Sequence, residues 1–217
     1  MLKRPYLGWL VALLALVAPA TLLAAGGAEA PRLVVLGDSL SAGYGIRPEE
    51  GWVALLGKRL DQEGYGYRVV NASVSGETTG GGLARLAHVL EVQHPAVLVV
   101  ELGANDGLRG LPVAEMKKNL AAIVAQAQKS HASVLLVGMQ VPPNYGPEYT
   151  KSFAAAFKDV SMALHTALVP FLLERVAANE ANFQADRLHP IAAVQGELLT
   201  TVWGGLKPLL RAPARKE

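Results

Sequence analysis

Ser39 is the residue whose setting first implies chemistry. It follows Gly37-Asp38, directly after the apolar, β-branched run Leu33–Leu36, in the stretch Arg32 to Tyr44. A serine so placed leaves the carboxyl end of a strand on a tight turn, where open α/β sheets hold their ligands. A serine hydroxyl attacks a carbonyl only with partners. A base must take its proton, an acid must orient that base, and N–H donors must receive the oxyanion.

The chain has five histidines. His88, His94, His131 and His165 fall within or at the ends of helix-like stretches and read as surface or capping residues. His189 differs: it precedes Pro190 in a non-helical segment and follows Asp186 by three residues. That spacing can bring a carboxylate to the imidazole Nδ1, fixing its tautomer and stabilising the imidazolium formed on proton transfer. For the oxyanion, the Ser39 N–H, the Gly76 N–H and the Asn105 carboxamide are the candidate donors. Glycine lets a backbone approach a ligand closely, and an amide NH₂ donates without titrating. Each signal has a plain alternative: Asp186 as a turn cap, Gly76 as a turn residue, Asn105 as a helix N-cap. Their weight comes from three strand-end segments converging on one sheet edge. Asp38 is too close to Ser39 to stand behind the histidine and is assigned to the turn; Glu101 and Asp106 are assigned structural hydrogen bonds.

Other chemistries lose their key residues. Ser41 stands where a G-x-S-x-G elbow has its second glycine, so the site is expected to be shallower and more open than such an elbow. There is no H-E-x-x-H and no metal-ligand cluster, so no metal and no cofactor are expected. Gly80-Gly81-Gly82 lacks the lysine of a phosphate-binding loop, and Asp38 lacks a second aspartate two residues on, where Leu40 stands. The absence of cysteine removes thiolate nucleophiles, disulfides and Cys-ligated zinc.

These residues need a scaffold. Strand-like runs at Leu33–Leu36, Tyr67–Asn71, Ala96–Leu102, Ser133–Met139 and Leu168–Phe171 alternate with helix-like stretches at Glu49–Gln62, Gly81–Gln93, Val113–Ser130, Ser152–Thr166 and Ile191–Leu206. Continuously apolar runs such as Val134–Val137 suit strands buried on both faces of a parallel sheet. The alternation predicts an α/β, three-layer α/β/α fold with a flavodoxin-like parallel sheet. The proline-rich stretch Gln140–Thr150 reads as a loop on the ligand side. Leu108, Pro112, Met139, Val141 and Pro142 are expected to line an apolar groove there.

Length and composition bound the rest. The 217 residues suit one domain. The N-terminus has a basic start, Lys3-Arg4, an apolar run from about Leu7 to Ala25, and small residues through Ala30, the pattern of a secretory signal peptide. Residues 1–28 are assigned to it, with cleavage between 26 and 30. An uncleaved membrane anchor is the alternative, since the run is nearly long enough to span a bilayer. Residues 31–210 form the domain and 211–217 a polar tail. Removing the leader takes away Lys3 and Arg4 and leaves a near-neutral domain without the electrostatic footprint of nucleic-acid binding.

Taken together, Gly37-Asp38-Ser39-Leu40, Gly76, Gly103-x-Asn105-Asp106 and Asp186-x-x-His189 resemble the blocks of the GDSL or SGNH hydrolases. The runs Asn71–Thr78, Gly82–Leu86, Glu101–Gly110 and Pro143–Gly146 look like the bacterial periplasmic acyl-CoA thioesterase I subgroup, also described as arylesterase and lysophospholipase. The resemblance spans Leu33 to Leu210. It implies Ser39 as nucleophile, His189 as base, Asp186 as its partner, and Ser39, Gly76 and Asn105 as the oxyanion hole. It also implies an exported, cofactor-free enzyme; a small-molecule acyl ester or thioester substrate, no stable membrane insertion and a monomer are expected. A carbohydrate O-acetylesterase with the same triad, and a non-catalytic module on a hydrolase fold, are the alternatives.

Overall fold

The computed structural model describes residues 29–211; the segment read as a signal peptide and most of that read as a polar tail lie outside the described residues. Five strands, β1 (Arg32–Gly37), β2 (Arg68–Asn71), β3 (Val97–Glu101), β4 (Ser133–Val137) and β5 (Ala167–Val169), form one sheet in the order β2-β1-β3-β4-β5. Every neighbouring pair is parallel. This is the flavodoxin-like order, with its switch point between β1 and β3.

Seven α-helices connect and cover the strands: α1 (Ser39–Ala42), α2 (Trp52–Gln62), α3 (Thr79–Gln93), α4 (Ala104–Leu108), α5 (Val113–Lys129), α6 (Pro147–Leu164) and α7 (Gln195–Leu206). α3, α5 and α6 pack side by side, and α2 packs against α7, two sets that cover the two sheet faces. Leu33–Leu36 of β1 and Val97–Val100 of β3 are accordingly buried on both sides. Trp52, Phe153 and Phe157 are the largest fully buried side chains. No helix among the described residues is long and apolar enough to cross a membrane.

The fold class is as expected; element ends differ for identifiable reasons. β3 stops at Glu101 because Gly103, at φ +122°, turns the chain into α4. β5 stops at Val169 because Pro170 has no N–H for the ladder. α6 starts at Pro147, inside the stretch read as loop, since proline is well tolerated at the first helical position. The final helix begins only at Gln195, after a 3₁₀ turn at Ala192–Val194. His94, His131 and His165 all lie at helix C-termini with positive φ, and His88 is exposed, in keeping with their plain reading.

Candidate active site

β1 and β3 run in register, with Gly37 opposite Glu101, so the segments that follow them emerge side by side. Asp38 caps α1: its Oδ1 accepts from the Leu40 N–H at 3.0 Å. Ser39 is thereby the first residue of α1, and its N–H is among the first-turn groups with no intrahelical acceptor. Behind it, Ser41 is buried and donates to Glu101 Oε2 at 2.6 Å. A Cβ on Gly37 would lie 2.8 Å from the Ser41 Cβ and Oγ, so only glycine admits this packing.

The Asp186–His189 loop arrives from 150 residues away. His189 Nε2 is 2.9 Å from Ser39 Oγ, and His189 Nδ1 is 2.7 Å from Asp186 Oδ2. Asp186 Oδ1 also accepts the backbone N–H groups of Leu188 and His189, at 2.9 and 3.0 Å. These N–H donors, with the imidazole, hold the Asp186 carboxyl down at about 2. The loop is latched by Gln184. Its N–H donates to the His189 carbonyl, and its Nε2 donates to the carbonyls of Tyr44 and Pro190. Arg187, between the acid and the histidine, adopts φ +59°, a left-handed conformation uncommon outside glycine.

The candidate oxyanion donors sit on the opposite side. Gly76 has φ +80°, and its carbonyl accepts from Arg109 Nη2 at 2.7 Å. Asn105 Nδ2 donates to Asp38 Oδ2 at 3.1 Å and to the Glu77 carbonyl at 3.0 Å, so both its amide hydrogens already have acceptors. Asp106 is buried and accepts from the Thr79 N–H and hydroxyl at 2.8 and 2.6 Å, tying the start of α3 to α4. Burial pushes the Asp38 carboxyl up to about 6. It pushes Glu101, which also faces the Asp38 charge, well above the usual carboxylate range.

Ser39, Gly76, Asn105 and His189 border one cavity of about 310 Å³. Its walls include Leu108, Met139, Val141 and Pro142, all expected from sequence, together with Leu173, Phe183 and Leu188, which were not. Pro112 is a correction. It is exposed and lines a separate groove with Leu111, Tyr145 and Tyr149. The left-handed turn at Gly110 and the bond from the Leu111 N–H to the Asp106 carbonyl redirect the chain, and Pro112 instead immediately precedes α5. The cavity mouth is open, with Tyr44 and Leu188 exposed at its rim. Sequence reasoning also missed Tyr44, Arg109 and Gln184. The only available signal was their proximity in sequence to Ser39, Asn105 and Asp186.

A hydroxyl bonded to an imidazole, itself bonded to a carboxylate, beside N–H donors and an apolar cavity, is an arrangement suited to acyl transfer. The GDSL-like lipase/acylhydrolase family model matches residues 35–195. The chain belongs to this family. It is 52% identical over 183 residues to esterase TesA of Pseudomonas aeruginosa, covering 84% of this chain and 91% of that protein. It is 36% identical over 189 residues to thioesterase 1/protease 1/lysophospholipase L1 of Escherichia coli K12, covering 87% and 89%. The crystal structure of the psychrotrophic esterase EstA from Pseudoalteromonas sp., inhibited by monoethylphosphonate, superposes with a TM-score of 0.78 at 41% identity. It covers 82% of this chain and 97% of that one. The protein is thus a carboxylic ester hydrolase of the esterase/thioesterase type.

Proposed function

We propose that this chain is an exported serine hydrolase that cleaves aryl esters, acyl thioesters and lysophospholipids through an acyl-enzyme on Ser39. The observation that carries the reading is the unbroken Asp186–His189–Ser39 chain, at 2.7 and 2.9 Å, on the border of an apolar cavity. With Nδ1–H donated to Asp186, Nε2 is left as an acceptor for the serine proton. Ser39 Oγ attacks the acyl carbonyl as its proton passes to Nε2. The carbonyl oxygen becomes an oxyanion facing the Ser39 and Gly76 N–H groups. The Asn105 amide, held by Asp38 and Glu77 in the free enzyme, gives up one of those two bonds to donate to that oxyanion. The imidazolium then protonates the leaving group, and the same histidine activates water to release the acid.

The acyl chain lies along Leu108, Met139, Val141 and Pro142. Residues 1–28 serve as a cleaved signal peptide that delivers the monomeric enzyme to the periplasm or exterior, which makes cytosolic acyl-CoA an unsuitable natural substrate. The test is hydrolysis of p-nitrophenyl esters and matching thioesters from acetyl to palmitoyl by the mature enzyme and by Ser39→Ala. Loss of activity in the variant and a preference beyond acetyl are expected. Undiminished activity in Ser39→Ala sinks the assignment, and a sharp optimum at acetyl favours the O-acetylesterase reading. Intact mass of the protein from the periplasmic fraction locates the cleavage point.

A further inference from the structure

We infer that Tyr44 is a positioning residue for the base: its ring braces the face of the His189 imidazole and favours the charged ring that forms when Ser39 gives up its proton. The inference rests on the catalytic reading of Ser39 and His189 proposed above. The two ring centroids are 4.6 Å apart at an interplanar angle of 41°. The imidazole edges are already engaged, Nδ1 by Asp186 and Nε2 by Ser39. Its face is what remains to be held, and Tyr44 lies against it.

Tyr44 is tied to both sides of the site. Its N–H donates to the Ser39 carbonyl at 3.1 Å, so the ring is carried by the nucleophile's own turn. Its carbonyl accepts from Gln184 Nε2 at 2.8 Å, so it is also fixed to the loop that carries His189. Gly45 is required by this latch: a Cβ there would lie 2.1 Å from Gln184 Oε1. Yet Tyr44 remains 54% exposed, so core packing does not account for its position. Its hydroxyl has no partner among the described residues, which leaves the aromatic ring as the working part. A cation within about 6 Å of an aromatic centroid is stabilised by the ring quadrupole, the more so as water is excluded. Attack by Ser39 converts a neutral imidazole into that cation until the leaving group takes the proton, so the contact strengthens between ground state and transition state and acts on kcat.

The experiment compares Tyr44→Phe, Tyr44→Trp and Tyr44→Leu on p-nitrophenyl acetate, whose acyl group is too short to use the rest of the wall. Tyr44→Phe and Tyr44→Trp are expected to keep kcat within twofold. Tyr44→Leu is expected to lower kcat about fivefold with KM nearly constant, the scale of an exposed cation–aromatic contact. The His189 ring-proton resonances should be shifted upfield by the ring in wild type and Tyr44→Phe and should lose that shift in Tyr44→Leu. Equal kcat for Tyr44→Leu and Tyr44→Phe would overturn the inference. So would a rise in KM alone, which would make the ring merely a substrate wall. Ser39→Ala and His189→Ala are measured alongside. Retained activity in these two refutes the triad itself, whereas their inactivity with a silent Tyr44→Leu refutes only the role of Tyr44.

Discussion

Replacing Asp186 with asparagine separates geometry from charge in the triad. Asp186 uses its two oxygens differently: Oδ1 accepts the Leu188 and His189 N–H groups, and Oδ2 faces His189 Nδ1 at 2.7 Å. An asparagine can keep its carbonyl oxygen on the two backbone donors, so the turn and the His189 backbone stay in place. Its NH₂ then faces Nδ1 and can only donate. Nδ1 must therefore be unprotonated, which puts the ring hydrogen on Nε2, pointing at Ser39 Oγ 2.9 Å away. A base that already carries a proton toward the nucleophile cannot take another. A wrong tautomer in this constellation costs roughly 10³–10⁴ in kcat, or about 4–5.5 kcal/mol of transition-state stabilisation. The Asp186 side chain is more than a third exposed, so its hydrogen bond to the histidine contributes little to folding, and the melting temperature should move by no more than a few degrees. The assay is kcat on p-nitrophenyl butyrate beside a thermal melt of the same samples. Asp186→Asn activity within tenfold of wild type would refute the tautomer argument. Asp186→Ala should lose comparable activity and also loosen the loop, because the two backbone N–H groups lose their acceptor.

Three further outcomes are expected. The Asp38 carboxyl, raised by burial to about 6, is protonated in the folded state at pH values where the unfolded chain is ionised. Its contribution to stability is therefore fully present below about pH 4 and is lost as pH rises through about 6, and urea unfolding should show that loss lessened in Asp38→Asn. Gly103→Ala forces an L-residue to φ +122° and brings its Cβ to 3.0 Å from Phe157 Cζ, so it should cost about 1–3 kcal/mol in urea unfolding and lower activity through the adjacent Asn105. Leu108→Trp should fill the cavity and cut kcat/KM for decanoyl esters more than tenfold while sparing acetyl esters. Equal losses on both chain lengths would remove Leu108 from the acyl path.

Much of the site was legible because its parts are local. Gly37-Asp38-Ser39 lies where an apolar run stops, and in Asp186-x-x-His189 the carboxylate and imidazole are only three residues apart and hydrogen-bond directly to each other. Met139, Val141 and Pro142 were placeable because they directly follow a strand. Pro112 was not. Three residues separate it from Leu108, and one left-handed glycine among them turns the chain out of the cavity. The start of α6 was obscured for a related reason: three prolines suggest irregular chain, yet the last of them begins a helix. Tyr44 and Arg109 lie in stretches noted from the sequence and Gln184 does not, but none of the three showed its role, because those roles consist of contacts to residues distant in sequence.

The sequence by itself determined the residue types, the alternation of strands and helices, and the pairing of Asp186 with His189. These depend on short-range propensity and on hydrophobic period, which are written along the chain. Tertiary structure alone decided that His189 reaches Ser39 across 150 residues, that β1 and β3 lie adjacent so Asn105 stands beside the nucleophile, and that the Asn105 amide is held by Asp38 and Glu77. The physical reason is that each of these is a distance between segments. Such a distance exists only once the sheet order and the burial of both its faces have brought the strand ends to a common edge.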